Sequence, residues 1–279
     1  MTTSLLEIDD LNISFTRYDK GLRQMDRSVI RSLSLTVHPG EIVAVVGASG
    51  SGKSLLAHAI LGILPSNAKW SGNLIFDGQP LTPKLMKKLR GREIALVPQS
   101  VDFLDPLMRV GMQVRQAVRV GDPVEEQIKA FQKMRLGPKA AKRYPFQLSG
   151  GMARRVLVSI ASVSGARLLI ADEPTPGLDE AVVQETLNMF RQFADTGTAV
   201  IFITHDLEAA MSIADRVAVF YSGTILEMAE AADFTGKGER LRHPYSQALW
   251  QALPQNDFAV PDVVDHAMAA AAREEEKPI

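Results

Sequence analysis

The sequence predicts an α/β fold with a parallel-sheet core, an N-terminal antiparallel β part and a helical subdomain. Three observations carry that expectation. Ile42-Val43-Ala44-Val45-Val46 is an unbroken apolar run followed by a glycine-rich turn and a helical pattern, which suits a strand buried on both faces. Two later runs, residues 168–171 and 199–203, have the same character and flank a helical stretch at 179–194. Strands alternating with helices argue for parallel pairing. Residues 102–164, by contrast, carry helical patterns and no convincing strand.

Taken in order, residues 5–8 and 11–15 read as strands, 17–28 as a polar loop, and 29–37 as resumed alternation ending at the turn His38-Pro39-Gly40. After the strand at 42–46, apolar spacing predicts a helix over 54–64, ended by Pro65. Residues 94–97 form a further strand. Helical patterns follow at 110–120, 124–136 and 150–163. After Met228 the chain reads as a polar tail bearing glycine and charge, and its last residues, 273–277, read as solvated. The resulting division is 1–100 for the β part and first half of the core, 101–164 for the helical subdomain, 165–240 for the second half of the core, and 241–279 for the tail.

Bulk properties exclude several classes. The chain has 279 residues, 46% apolar and 23% charged, values ordinary for a globular protein. A formal charge of −1 gives no reason to expect a nucleic-acid partner. The absence of cysteine excludes disulfides, thiolate metal sites and cysteine-ligated iron–sulfur clusters. The first residues lack the basic start and apolar core of a signal peptide, and no apolar run nears the ~20 residues that cross a bilayer. Membrane association is therefore expected only through a partner.

Gly47-Ala48-Ser49-Gly50-Ser51-Gly52-Lys53-Ser54 matches the phosphate-binding pattern G-x-x-x-x-G-K-[ST], with a buried strand before it and a helix after it. Glycines let main-chain N–H groups converge on phosphates, and the helix N-terminus, from Ser54 and Leu55 onward, adds donors. Lys53 is expected to reach the β/γ phosphates and the Ser54 hydroxyl to ligate Mg²⁺. The pattern arises by accident in roughly one chain in a hundred of this length, and the strand–helix context narrows it further.

The strand at 168–171 runs into Asp172-Glu173, and parallel sheets bind ligands at their carboxyl ends. Asp172 is expected to hold Mg²⁺, directly or through a water, and Glu173 to orient and deprotonate the attacking water. His205 ends the next buried strand; it either contacts the γ-phosphate or holds Glu173 and the water in line. Gln99, just beyond the strand at 94–97, is expected to sense Mg²⁺ and water. His38, His58, His243 and His266 carry no functional claim.

Leu148-Ser149-Gly150-Gly151-Met152 resembles the signature motif of ABC ATPases, usually LSGGQ, and lies about twenty residues before the acidic pair. With the Walker A pattern, Gln99, the acidic pair and His205 in that order, the chain is identified as a member of that P-loop NTPase family, whose nucleotide-binding domain the fold is expected to follow. Three features narrow the resemblance to ATPases of oligopeptide, dipeptide and nickel importers. They are Met152 in place of glutamine, Leu104-Asp105-Pro106-Leu107, and the tail His243-Pro244-Tyr245-Ser246-Gln247-Ala248-Leu249, similar to an HPYTxxL element. Gly62-Ile63-Leu64-Pro65 is also similar to those members.

The resemblance implies a head-to-tail dimer in which ATP sits between Walker A of one cassette and Ser149, Gly150, Gly151 and Met152 of the other. It further implies that Asp179, in a D-loop-like segment, crosses the interface, and that Phe15 or else Tyr18 stacks on adenine. The implied partners are a second, paralogous cassette, two transmembrane permeases and, indirectly, an extracytoplasmic solute-binding protein. The implied location is the cytoplasmic face of the plasma membrane, and the implied cargo is peptide, nickel or a metal chelate. A soluble ABC ATPase acting on nucleic acid or the ribosome, and an exporter motor, are the alternatives. Pro176-Gly177 departs from the commoner Thr-Ala.

Overall fold

The computed structural model describes residues 3–18, 24–253 and 256. Strands β1 (Leu6–Tyr18) and β2 (Gln24–Val37) pair antiparallel. The chain then enters a second sheet through β3 (Ile42–Val46), turns into helix α1 (Lys53–Leu61), and returns with β4 (Ala68–Phe76) and β5 (Gln79–Pro80) to complete the first sheet in the order β2-β1-β4-β5. Helix α2 (Pro83–Leu89) leads to β6 (Ile94–Val97). The helical stretch holds α3 (Val110–Ala117), α4 (Pro123–Lys133) and α5 (Gly150–Ser162). Next come β7 (Leu168–Asp172), α6 (Glu180–Asp195), β8 (Ala199–Thr204), α7 (Leu207–Ile213), β9 (Arg216–Tyr221) and β10 (Thr224–Glu230). Helix α8 (Pro244–Gln251) is the last described element. The second sheet has the order β10-β9-β3-β8-β7-β6, parallel except for β10.

Burial explains why β3 is apolar throughout. Val43 and Val45 face a core shared with the antiparallel sheet and α1, while Ala44 and Val46 face the opposite side with α7 and β9. Farther along that same face, opposite the antiparallel sheet, the parallel sheet packs on α5 and α6, where Phe202, beside Ala44 in register, meets Phe190 edge-on at 5.6 Å between ring centroids. A strand covered on both faces needs apolar residues at every position rather than at alternate ones.

Three sequence expectations are corrected. Much of the 17–28 loop is strand: Thr16 pairs with Asp26 and Phe15 with Arg27 in a ribbon extending from the sheet. Residues 25–28 are exposed, so no buried face imposes an apolar alternation there, and polar contacts such as Lys69–Asp26 at 2.7 Å tie the ribbon instead. Helix α1 stops at Leu61 rather than at Pro65, because Gly62 takes a left-handed φ of 63° and Ile63 N–H donates to His58 O at 2.9 Å. This is a glycine-terminated helix end. The chain after Met228 is also packed rather than uniformly polar, with Ala229, Phe234, Leu241 and Trp250 buried together. Trp250 Nε1 donates to Gly236 O at 3.1 Å, and His243 caps α8 by accepting from Tyr245 N–H at 3.1 Å. Residues 257–279 lie outside the described residues.

Candidate nucleotide site

The carboxyl end of β3 runs into the turn at Gly47, where sterics dictate the residue: a Cβ there would fall 2.1 Å from Phe220 O on β9. Gly50 and Gly52 take left-handed φ values of 78° and 104° that favour glycine. Gly52 caps α1 without a side-chain bond, which leaves the first two helical N–H groups, of Lys53 and Ser54, available to an anion, while Leu55 N–H donates to Gly52 O at 2.9 Å. Lys53 is 5% exposed, and its ammonium donates to Gly47 O and Ala48 O, both at 2.8 Å. Burial pulls this lysine below its usual range, and the charges of Glu173 and Asp172 oppose the shift. Ser51 closes the turn through a hydroxyl bond to Ala48 O at 2.7 Å.

β7 delivers the two acids. Asp172 is 4% exposed; one of its oxygens, Oδ1, is buried without a hydrogen-bond partner, while the carboxylate is hydrogen-bonded by Ser54. Burial pushes Asp172 above the usual carboxylate range; the Ser54 bond works against that and the charge of Glu173 adds to it. Glu173 sits at φ 48°, in left-handed space that a glutamate rarely adopts. Its own N–H is fixed to Ile203 O at 2.9 Å. Its Oε1 accepts from the His205 backbone N–H at 3.1 Å and meets His205 Nδ1 at 2.8 Å.

Strand register assembles these groups. Val46 lies beside Thr204, Ile203 beside Asp172, and Ala171 beside Val97. Walker A, His205, Glu173 and Gln99 therefore leave four adjacent strands at one edge. The cleft there is lined by Ser49, Gly50, Gly52, Lys53, Ser54, Leu55, Gln99, Asp172 and Glu173. His205 joins the group through Glu173. Phe15 lies outside the lining, half-buried on β1 against the core, and the side chain of Tyr18 lies outside the described residues.

The signature residues stand apart from the cleft. Ser149 caps α5 by accepting from Met152 N–H at 3.3 Å, and Ser149 and Gly150 are exposed. Gly151 closely approaches the segment before α6, since a Cβ on it would lie 3.0 Å from Gly177 O. Asp179 caps α6, accepting from Val182 N–H at 3.1 Å.

A family model described as ABC transporter matches residues 30–176. The chain belongs to the ABC transporter family. Among curated ABC relatives, the oligopeptide transport ATP-binding protein OppD of Salmonella typhimurium is 34% identical over 91% of this chain and 77% of its own length. OppD of Bacillus subtilis is 34% identical over 90% of this chain and 72% of its own. The probable D,D-dipeptide transport ATP-binding protein DdpD of Escherichia coli is 34% identical over 92% and 80%. The fold matches a dimeric bacterial ABC transporter cassette with a TM-score of 0.70 at 22% identity, covering 81% of this chain and 98% of that one. It also matches a bacterial Atm1-family ABC exporter solved with ATP bound, at TM-score 0.70 and 25% identity, over 90% of this chain and 42% of that one.

Two residues of this ABC cassette touch the site without belonging to any of the motifs above. Thr204 directs its hydroxyl toward Glu173 Oε2 at 3.5 Å and accepts from Asp206 N–H at 3.0 Å. Its position beside His205 at a strand end is the one sequence signal for it. Arg154, on α5, donates to the main chain of three site segments. No local spacing announces that role.

Proposed function

We propose that this cassette binds and hydrolyses ATP as the motor subunit of a peptide importer. The observation that carries the reading is the convergence, at one sheet edge, of a phosphate cradle, a buried carboxylate with a free oxygen, and a second carboxylate held by His205. Lys53 binds the β/γ phosphates, exchanging its two carbonyl partners for phosphate oxygens. Glu173 orients the attacking water and takes its proton, and His205 keeps the carboxylate aimed. Gln99 lines the same cleft and fixes the water and cation sphere from the β6 side.

Mg²⁺ fits the donor set: Asp172 Oδ1 is buried without a partner, and the Ser54 hydroxyl lies beside it. Among the described residues no three His, Asp or Glu side chains gather into a metal cluster. The remaining ligands are therefore phosphate oxygens and water, as is usual for this ion. When bound, it neutralises charge on the phosphates.

The exposed Ser149–Gly150 turn, outside the lining of the chain's own cleft, supports a head-to-tail dimer in which it caps the nucleotide of a second cassette, with Met152 and Asp179 close to the seam. Phe15 is the adenine-stacking candidate on the β1 side. No described helix is long and apolar enough to cross a membrane, so the cargo path belongs to permease partners. The cassette sits on the cytoplasmic face beneath them, and a solute-binding protein delivers cargo from the other side. Resemblance to OppD and DdpD supports peptides as that cargo.

Glu173→Gln tests the reading: nucleotide affinity stays within about twofold while turnover falls on the order of 10³-fold. Captured from native membranes with ATP, the variant brings down two multi-span permeases and a second cassette. Near-normal hydrolysis removes Glu173 from its role, and capture of ribosomal or DNA-bound proteins without a permease overturns the transport assignment.

A further inference from the structure

Arg154 lies on α5, just past the signature glycines, and its side chain does not line the nucleotide cleft. Its guanidinium reaches three main-chain carbonyls from three segments. Nη1 donates to Glu173 O at 3.1 Å and to Pro176 O at 2.6 Å, and Nη2 donates to Gln99 O at 2.8 Å. Two of those carbonyls belong to residues whose side chains line the cleft, and the third belongs to the turn that leads into Asp179. A planar fork with five N–H groups can serve three fixed acceptors at once, whereas a lysine ammonium offers only a point charge on a flexible stem.

The segments held in this way are ones that need holding. Glu173 occupies a left-handed conformation at φ 48°, and a strained residue persists only when its surroundings over-determine it. Anchoring its carbonyl fixes the peptide on one side, while the bond from Glu173 N–H to Ile203 O fixes the other. The Pro176-Gly177 turn presents its first carbonyl to Arg154, and Gly177 adopts φ 77°. Gly151, three residues before Arg154, rests close to Gly177 O. Signature turn and Pro176-Gly177 turn are thus joined at two points. Half-burying a cation against carbonyls, with the Glu173 charge only partly offsetting its burial, is a weak way to add stability, so the arrangement calls for another explanation.

We propose that Arg154 is a positioning residue that locks the signature helix to the backbones of Gln99, Glu173 and Pro176, so that displacement of α5 repositions the water-orienting groups together. This rests on the ATPase reading above. A second cassette or a permease that moves α5 would set the geometry of hydrolysis through this one side chain. Phosphate binding by Ser49–Ser54 would be unaffected, because no Arg154 bond reaches that turn.

The test uses the full-length chain with Arg154→Ala, Arg154→Gln and Arg154→Lys, reading steady-state ATP turnover, KM, fluorescent-nucleotide affinity and Tm. Displacement of reacting groups by about an ångström costs on the order of 10²-fold. The expected result for Arg154→Ala is a loss of that size in kcat, with KM and nucleotide affinity within about twofold of wild type. Arg154→Lys recovers only part of the loss. If the alanine variant does not fold, the lysine and glutamine variants carry the same kcat-against-KM comparison. Wild-type kcat in Arg154→Ala, full wild-type kcat in Arg154→Lys, or proportional losses of affinity, kcat and Tm would each overturn the proposal. A wild-type chain without ATPase activity, alone or with its membrane partners, would sink the underlying reading instead, so the two failures are separable.

Discussion

Replacing Asp172 with asparagine removes a negative charge from a position that is 4% exposed and has one oxygen, Oδ1, without a partner. Ser54 can still hydrogen-bond the amide oxygen; the electrostatic conflict with Glu173 disappears, the attraction to His58 and Lys53 is lost with it, and burial, the largest influence on Asp172, sets the sign. The substitution leaves a neutral unpaired group where a charged one stood, and an unsatisfied buried polar group costs ~1–3 kcal/mol, more when charged. The difference should stabilise the nucleotide-free protein by about 1–2 kcal/mol, or roughly 2–6 °C in Tm for a chain of this size. The pH dependence follows from the direction of the shift. Asp172 is raised above its ordinary 3.8, mainly by burial. Between that value and the raised one the folded state binds more protons than the unfolded, so wild-type stability falls as pH rises through this window. The Asp172→Asn variant has no such loss. The gap in favour of the variant is therefore complete above the raised value and closes as the solution is acidified. Urea and thermal unfolding of both proteins in EDTA, across acid to neutral pH, reads it directly. A variant less stable than wild type at neutral pH, or a gap that does not change with pH, refutes the reasoning. Hydrolysis should be lost in the same variant.

Two further outcomes follow. Lys53→Ala should weaken ATP affinity on the order of 10²-fold, since charge-assisted bonds to phosphate are each worth ~1.5–3 kcal/mol; unchanged affinity in a nucleotide-binding titration would count against the cradle. Arg216 pairs with Glu41 at 2.5 Å, and their side chains are only 21% and 11% exposed. Arg216→Met should cost about 3 kcal/mol by leaving that carboxylate buried without a counter-ion, its remaining partner being the His38 N–H at 2.7 Å, and adding Glu41→Met should recover part of it; a loss under about 1 kcal/mol in urea would show that the pair is solvated.

What the sequence makes legible divides by physical cause. β3, β7 and β8 are readable because double-sided burial forces contiguous apolar residues, and the glycine-rich turn and Asp172-Glu173 follow directly from those strands in the chain. β4 escapes a reading of the sequence: its first six positions are exposed or half-exposed, and only its end, with Leu74 and Phe76, is buried. The ribbon over residues 24–28 reads as loop for the same reason. The sequence puts the end of α1 at the proline, although the helix stops where Gly62 can turn left-handed against Met86. In the site, the lining residues are recoverable from motifs, whereas Arg154 is not. Its three acceptors are carbonyls of residues 55, 19 and 22 positions away, and any amino acid can supply a carbonyl.

The left-handed backbone of Glu173 has an evolutionary side. A glutamate there sits at a local cost of order 1 kcal/mol that glycine would not incur. Random drift toward sturdier folding therefore pulls against catalysis at this codon, which a single nucleotide change can turn from glutamate to glycine. A paralogue freed from the duty to hydrolyse would lose its carboxylate here early, while its phosphate cradle, built from unstrained contacts, persisted. The substitution that the backbone most readily accepts is the one that ends turnover.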